Sequence, residues 1–230
     1  MVPQRTAFGI RVEQPDQPRW LFGINKLWVT AIARWHSLAI SGSFPREGPV
    51  LLVANHVDAF DPFMVGEAVS RVGKRSITMF ARSEFFEVPF LGWWLRRSGA
   101  ISIRRDEADF GALRAAVEEL RRGHVVAAFP QATRAFGRQG LFGQIKAGPA
   151  YLAAKTGTPV VPAAVLGTGG SILSRGRFEV RFGEPFVVPP LPPRRTESDL
   201  DERARLMEER MLDLLPEAYK RDRVAKARPG

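Results

Sequence analysis

The run "VLLVA" at 50–54 is apolar at every position, short for a helix, and closed by the polar "NHVD". A strand covered on both faces reads this way, because its side chains alternate between two buried layers. "SITMF" at 76–80, the segment 100–103, "VVAAF" at 125–129 and "PVVPAAV" at 159–165 read as further strands. "FEVRF" at 178–182 alternates apolar and charged residues, as a strand with one wet face does. Between these runs the period becomes helical. Helices are predicted from 62 onward and over 84–97, 107–122, 146–155 and 199–215, the last with Ser198 as its N-cap. The 107–122 segment is the clearest: Asp106, Glu107 and Asp109 stand at its start, and Phe110, Leu113, Val117 and Leu120 share one face. Arg121 and Arg122 precede Gly123, so acids come first, bases last and a glycine marks the stop, as the helix dipole and C-cap rules require. Strands alternating with helices predict an α/β fold, a sheet with helices packed on it.

Ahead of the first strand, Trp20 to Leu38 also follows the helical period. Trp20, Ile24, Leu27, Trp28, Ala31, Trp35 and Leu38 fall within roughly 100° on a helical wheel, with Lys26, Thr30, Arg34 and Ser37 toward the other side. A spanning helix needs about 20 mostly uncharged residues, and Asn25, Lys26, Arg34 and His36 interrupt this one. The chain of 230 residues suits one substantial domain. It divides into a polar arm at 1–17, an amphipathic helical region at 18–44 and a core at 45–185. A Pro-rich connector, the last helix and a basic tail make up 186–230.

Composition narrows the chemistry. There is no cysteine, which excludes disulfides, thiolate catalysis and thiolate-held metals, and with three scattered histidines no metal centre is expected. The N-terminal residues contain no apolar core of a signal peptide, so none is expected. The net charge of +10 points to an anionic partner: nucleic acid, an anionic membrane surface or a phosphorylated molecule. Nucleic acid is not expected, because no recognised binding motif is present and the aromatic residues cluster with aliphatic ones rather than with basic ones.

Three polar clusters each follow a predicted strand. In "ANHVDAFDP" at 54–62, His56 lies just past a strand and Asp61 opens the next helix. Two readings are open. Asp61 can hold one imidazole nitrogen and leave the other to take a proton from a hydroxyl. Alternatively Asp61 is the N-cap with Pro62 at N1, Asp58 makes a turn, and His56 is merely solvated. The second cluster, "FPQATRAFGRQGLFGQIKAG" at 129–148, offers Gln131, Thr133, Arg134, Arg138 and Lys146 beyond a strand's C-terminal end, where open α/β sheets bind ligands. The third places Arg104 and Arg105 past the 100–103 strand. One sheet edge can gather all three.

In order and spacing these segments resemble the PlsC-type glycerolipid acyltransferases, the lysophosphatidic acid acyltransferase family. The family's NHxSxxDP block resembles "NHVDAFDP", with His56 and Asp61. Its basic block resembles "ARSEFFEVPFLGWWLRRSGAISIRR", with Arg82 in the usual lysine position and Arg105 as the block's arginine. Its FPEGTRS block and following Lys–x–Gly resemble "FPQATRA" and "KAG", and its late valine–proline strand resembles "VVPAAV". The resemblance spans roughly 45–170 and departs at Gln131 for glutamate and Ala132 for glycine, with milder changes at Asp58 and Ala135.

The resemblance implies a single α/β domain with a mostly parallel or mixed central sheet flanked by helices. It implies acyl transfer from acyl-CoA or acyl carrier protein to a lysophospholipid or glycerophosphate-type hydroxyl, without a further cofactor. His56 would be the base, Asp61 its partner, and Arg82, Arg105, Gln131, Ala132, Thr133, Arg134 and Lys146 the substrate-binding residues. A non-catalytic lipid-binding protein of the same fold, and an acyltransferase for neutral or sugar-lipid acceptors, are the rival expectations. Such substrates live at membrane surfaces, so the 18–44 region gains a second meaning: its tryptophan-bearing stripe either packs on the domain or lies on an anionic leaflet. A peripheral protein on the cytoplasmic face of a membrane is expected, with Trp93 and Trp94 beside Arg96 and Arg97 as a second contact.

Overall fold

The structure, a computed structural model, describes residues 19–56, 60–104, 109–130, 145–167, 175–194 and 196–216. The first half of the chain forms α1 (Arg19–Trp35), β1 (Ser37–Ser41), β2 (Val50–Ala54), α2 (Asp61–Val72), β3 (Thr78–Arg82), a 3₁₀ turn (Ser83–Phe86), α3 (Pro89–Arg97) and β4 (Ile101–Ile103). The second half forms α4 (Phe110–Arg121), β5 (Val125–Ala128), α5 (Gly148–Thr156), β6 (Val160–Gly167), β7 (Arg177–Phe182) and α6 (Glu197–Leu212).

Among the described residues the strands make one seven-stranded sheet, in the order β1-β7-β6-β2-β5-β3-β4. From β6 to β4 every neighbouring pair is parallel. Strand β7 runs antiparallel to β6 and parallel to β1, which makes the sheet mixed. The C-terminal ends of β6, β2, β5, β3 and β4 therefore share one edge.

β2 shows why "VLLVA" reads as it does. Val50, Leu52 and Ala54 face a layer containing Met64, Val65, Ala68 and Val69 of α2, while Leu51 and Val53 face Leu120 of α4, Leu152 of α5 and Met207 of α6. Period-2 alternation sends successive side chains into two different cores, so no position tolerates a polar group. Truncating one of these leucines to alanine costs about 2–5 kcal/mol.

Several boundaries differ from the sequence reading. The first helix stops at Trp35, not Leu38, and Ser37–Ser41 becomes an edge strand. Its partner is β7, far along the chain, so no local pattern announces the pairing. The 84–97 stretch is broken at Val88, whose extended backbone (φ −70°, ψ 125°) is the conformation that a following proline favours. The N-cap of α6 is Thr196, not Ser198: Thr196 accepts from the Asp199 N–H while the Asp199 carboxylate accepts from the Thr196 N–H. This reciprocal capping box satisfies two orphan donors, and a serine two positions on satisfies neither. Of the face read as Phe110, Leu113, Val117 and Leu120, Leu120 is buried and Leu113 and Val117 pack against the core beside Ala112 and Ala116, while Phe110 is exposed.

α1 docks through a face opposite to the expected stripe. Ala33 is buried, and the Thr30 hydroxyl donates to the buried Glu67 carboxylate of α2, which also accepts from Arg71 Nε at 2.8 Å. Ile24, Leu27, Ala31 and Trp35 point outward, Leu27 being 74% exposed. The side chains of Trp20 and Trp28 lie outside the described residues.

Candidate active site

The shared C-terminal edge carries the residues that sequence singled out, as far as they are described. β2 ends at Ala54, and two residues later His56 turns its ring against Phe129, which follows β5 (centroids 5.0 Å apart, planes at 41°). His56 Nδ1 lies 3.0 Å from Asp61 Oδ2. Both residues are buried, His56 7% exposed and Asp61 0%. Of the two readings of His56, the buried pair is the one that forms.

The helix start explains how. The N-cap of α2 is Phe60, which makes no side-chain capping bond, and Asp61 is the first helical residue rather than the cap. The Asp61 carboxylate reaches back to the imidazole while lying in the first turn, where the helix dipole favours negative charge. A carboxylate can only accept, so opposite an Asp61 carboxylate Nδ1 would be the donor and Nε2 the nitrogen left with a free lone pair.

Two neighbours adjoin this pair that the sequence reading did not single out. One is Phe129, which covers the imidazole. The other is Asn55, fully buried, whose side-chain amide bonds both backbone groups of Val165 in β6. A polar residue wedged between an apolar strand and a histidine was the available signal for it.

Arg82 closes β3 at the same edge, half exposed and 3.7 Å from Glu84. Lys146 is exposed, and its backbone N–H donates to the Pro130 carbonyl at 3.0 Å, so the two stems of the 131–144 segment meet beyond β5. Arg104, just past β4, is tied to Asp109, whose carboxylate accepts from the Arg104 and Ala112 backbone N–H groups. The Ala112 bond and then the Arg104 bond hold the Asp109 carboxyl below the usual carboxylate range. Arg105, Gln131, Ala132, Thr133, Arg134 and Arg138, like Asp58 and Ala135, lie outside the described residues. Among the described residues no three His, Asp or Glu side chains are grouped to hold a metal ion.

The sequence model of the family described as Acyltransferase matches residues 38–166, more than half of the chain. This chain belongs to the acyltransferase family. The family member is 30% identical over 176 residues to the chloroplastic 1-acyl-sn-glycerol-3-phosphate acyltransferase of Arabidopsis thaliana, covering 71% of this chain and 48% of that protein. It is 28% identical over 209 residues to the 1-acyl-sn-glycerol-3-phosphate acyltransferase of Saccharomyces cerevisiae, covering 83% and 66%. It thus spans about half to two thirds of the length of these relatives. The crystal structure of the 1-acyl-sn-glycerophosphate acyltransferase PlsC from Thermotoga maritima shares the fold, with a TM-score of 0.61 over 92% of this chain and 80% of that one at 23% identity. The family resemblance read from the sequence is borne out, and every candidate site residue from His56 to Lys146 falls inside the matched span of this acyltransferase-family chain.

Proposed function

We propose that this chain is an O-acyltransferase that moves a fatty acyl group from a thioester, acyl-CoA or acyl carrier protein, to the hydroxyl of a lysophospholipid or glycerophosphate-type acceptor. The observation that carries the reading is the buried His56–Asp61 pair, 3.0 Å apart at the catalytic edge of the sheet. His56 Nε2 takes the acceptor's hydroxyl proton as the oxygen adds to the thioester carbonyl. The carbonyl π pair moves to oxygen, the C–O bond forms, and Asp61 stabilises the imidazolium. The intermediate collapses, the C–S bond breaks, and the leaving thiolate recovers the proton from His56. The products are an ester and a free thiol. A base of this kind is worth about 10²–10⁴-fold.

Arg105 and Arg134 are the proposed phosphate ligands, with Arg82 and Lys146 in support. Guanidinium groups suit this role because they meet phosphate oxygens two at a time. Gln131 and Ala132, with Thr133, mark the acceptor side, where this chain departs from the family pattern.

The protein is further proposed to lie on the cytoplasmic face of a membrane. No helix among the described residues is long and apolar enough to cross one. The outward stripe of α1 supports surface binding, with the Arg175 guanidinium 5.0 Å from the Trp35 ring centroid. So does α3 with its preceding turn, where Phe85, Val88, Phe90, Leu91 and Trp93 are exposed beside Arg96 and Arg97. Each basic residue near an anionic leaflet contributes about 1 kcal/mol.

The test is acceptor-dependent thiol release from a long-chain acyl thioester, with the ester product identified by mass spectrometry. Release that requires lysophosphatidic acid supports the proposal. Release with neutral or sugar-lipid hydroxyls alone reassigns the acceptor, and no acceptor-dependent release with any of them refutes the reading.

A further inference from the structure

β6 is longer than its neighbour β2, and that mismatch creates a local problem. Strand pairing between them ends at Ala54 with Ala163, while β6 continues to Gly167 and pairs through Val165 with Val180 of β7 on its other side. Beyond Ala163 the β2-facing edge of β6 is buried, and a buried backbone N–H or C=O without a partner is strongly unfavourable. Asn55 solves this. Its Nδ2 donates to the Val165 carbonyl at 2.8 Å, and its Oδ1 accepts from the Val165 N–H at 2.6 Å. A side-chain amide presents an N–H donor and a carbonyl acceptor side by side, as the N–H and C=O of one strand residue are presented, so it completes the ladder while the main chain departs.

That departure is what sets His56. Had the backbone continued the strand, residue 56 would have followed β6 upward. Instead the chain is clamped to β6 at residue 55, and one residue later the imidazole meets Phe129 on one side and Asp61 on the other. Asn55 anchors the strand side of the histidine and the first turn of α2 anchors its acidic partner.

We propose that Asn55 is a positioning residue for His56: its amide, bound to both backbone groups of Val165, sets the point at which the chain leaves β2 and so keeps Nδ1 in register with Asp61. The consequence for turnover rests on the acyl-transfer reading above. The consequence for the histidine does not. Aspartate at this position would turn an acceptor toward the Val165 carbonyl, alanine would leave both Val165 groups unpaired, and serine would retain at most one bond at shorter reach.

The experiment compares Asn55→Asp, Asn55→Ala and the milder Asn55→Ser with Leu152→Ala, which opens a cavity in the opposite core and serves as a control of similar stability loss. Two readouts are taken on folded protein: the downfield proton resonance of His56 Nδ1–H, assigned by its disappearance in His56→Gln, and kcat and KM for thioester and acceptor. The proposal expects the resonance to be lost or broadened in Asn55→Ala and Asn55→Asp, and weakened in Asn55→Ser. It expects kcat to fall about tenfold to a hundredfold, as misplacement of a catalytic group does, with little change in KM. Leu152→Ala is expected to keep both signal and kcat. Should Asn55→Ala or Asn55→Asp fail to fold, Asn55→Ser decides alone. Retention of the resonance in the folded variants, its absence from the wild type, or an unchanged kcat with the resonance lost overturns the proposal. If the wild type transfers no acyl group, the function is wrong and the resonance alone still decides the role of Asn55.

Discussion

Replacing Asp61 by asparagine separates charge from shape at the centre of the site. The side chain is isosteric and fully buried, so the geometry around His56 is kept while the negative charge disappears. Taking the imidazolium charge about 4 Å from the carboxylate oxygen and an effective dielectric near 20, a full pair is worth about 4 kcal/mol. With roughly half to two thirds of that charge developed in the transition state, the loss is about 2–2.7 kcal/mol, or about 30- to 100-fold in rate. A second effect adds to it. The new amide can donate to Nδ1, which places the imidazole proton on Nε2 and removes the base from part of the population. The combined expectation is a fall in kcat of at least about 10²-fold. Stability should change little. An asparagine keeps the carbonyl oxygen and the shape, so what changes is the interaction of the charge with the α2 dipole, about 0.3–1 kcal/mol, set against removal of a buried charge. The assay is thiol release from acyl-CoA followed with a thiol reagent. The chain contains no cysteine, so the reagent reads only the released thiol. Folded Asp61→Asn protein turning over within about threefold of wild type would refute the assignment of Asp61 as the partner of the base.

The exposed α1 stripe predicts that Leu27→Glu with Trp35→Glu leaves the melting temperature unchanged but weakens flotation with anionic vesicles, the remaining binding falling further as salt is raised; full flotation of the double variant places the contact elsewhere. Asp109 caps α4, so Asp109→Ala should cost about 1 kcal/mol at neutral pH. Because its folded-state carboxyl titrates below the ordinary value, that contribution is complete above about pH 4 and lost as pH falls through the lower folded value. Denaturant melts of both proteins across this range should converge at the acid end, and a gap that widens there contradicts the assignment. Gln131 lacks the charge that the family's glutamate brings to nearby arginines, so the wild type should favour phosphate-bearing over neutral acceptors, and Gln131→Glu, alone or with Ala132→Gly, should narrow that preference; a wild type confined to neutral acceptors, with no gain on lysophosphatidic acid in the double variant, shows the acceptor assignment to be wrong.

What was legible in the sequence follows from where the physics is local. Buried parallel strands announce themselves as unbroken apolar runs, so β2, β5 and β6 were readable to within a residue or two. β1 was not, because Leu38 continues the helical stripe of α1 numerically and is a strand residue only through pairing with β7. The stripe itself was legible but its direction was not: Thr30, Ile32 and Ala33, rather than Ile24, Leu27 and Trp35, meet the domain. His56 and Asp61 were named from a spacing, but the local rule that an aspartate before proline caps a helix misassigned the latter, since the carboxylate is used across the loop instead. Asn55 and Phe129 lay inside the quoted blocks but received no role, because their contacts depend on strands that meet only in the folded sheet.

The most direct measurement is acceptor-dependent thiol release by His56→Ala, on protein shown to be folded by circular dichroism and thermal melting. Removing the base predicts a fall of at least about 10²-fold with the fold intact. Near-normal turnover in that folded variant would contradict acyl transfer by His56, because the acceptor oxygen adds to the thioester only as His56 removes its proton.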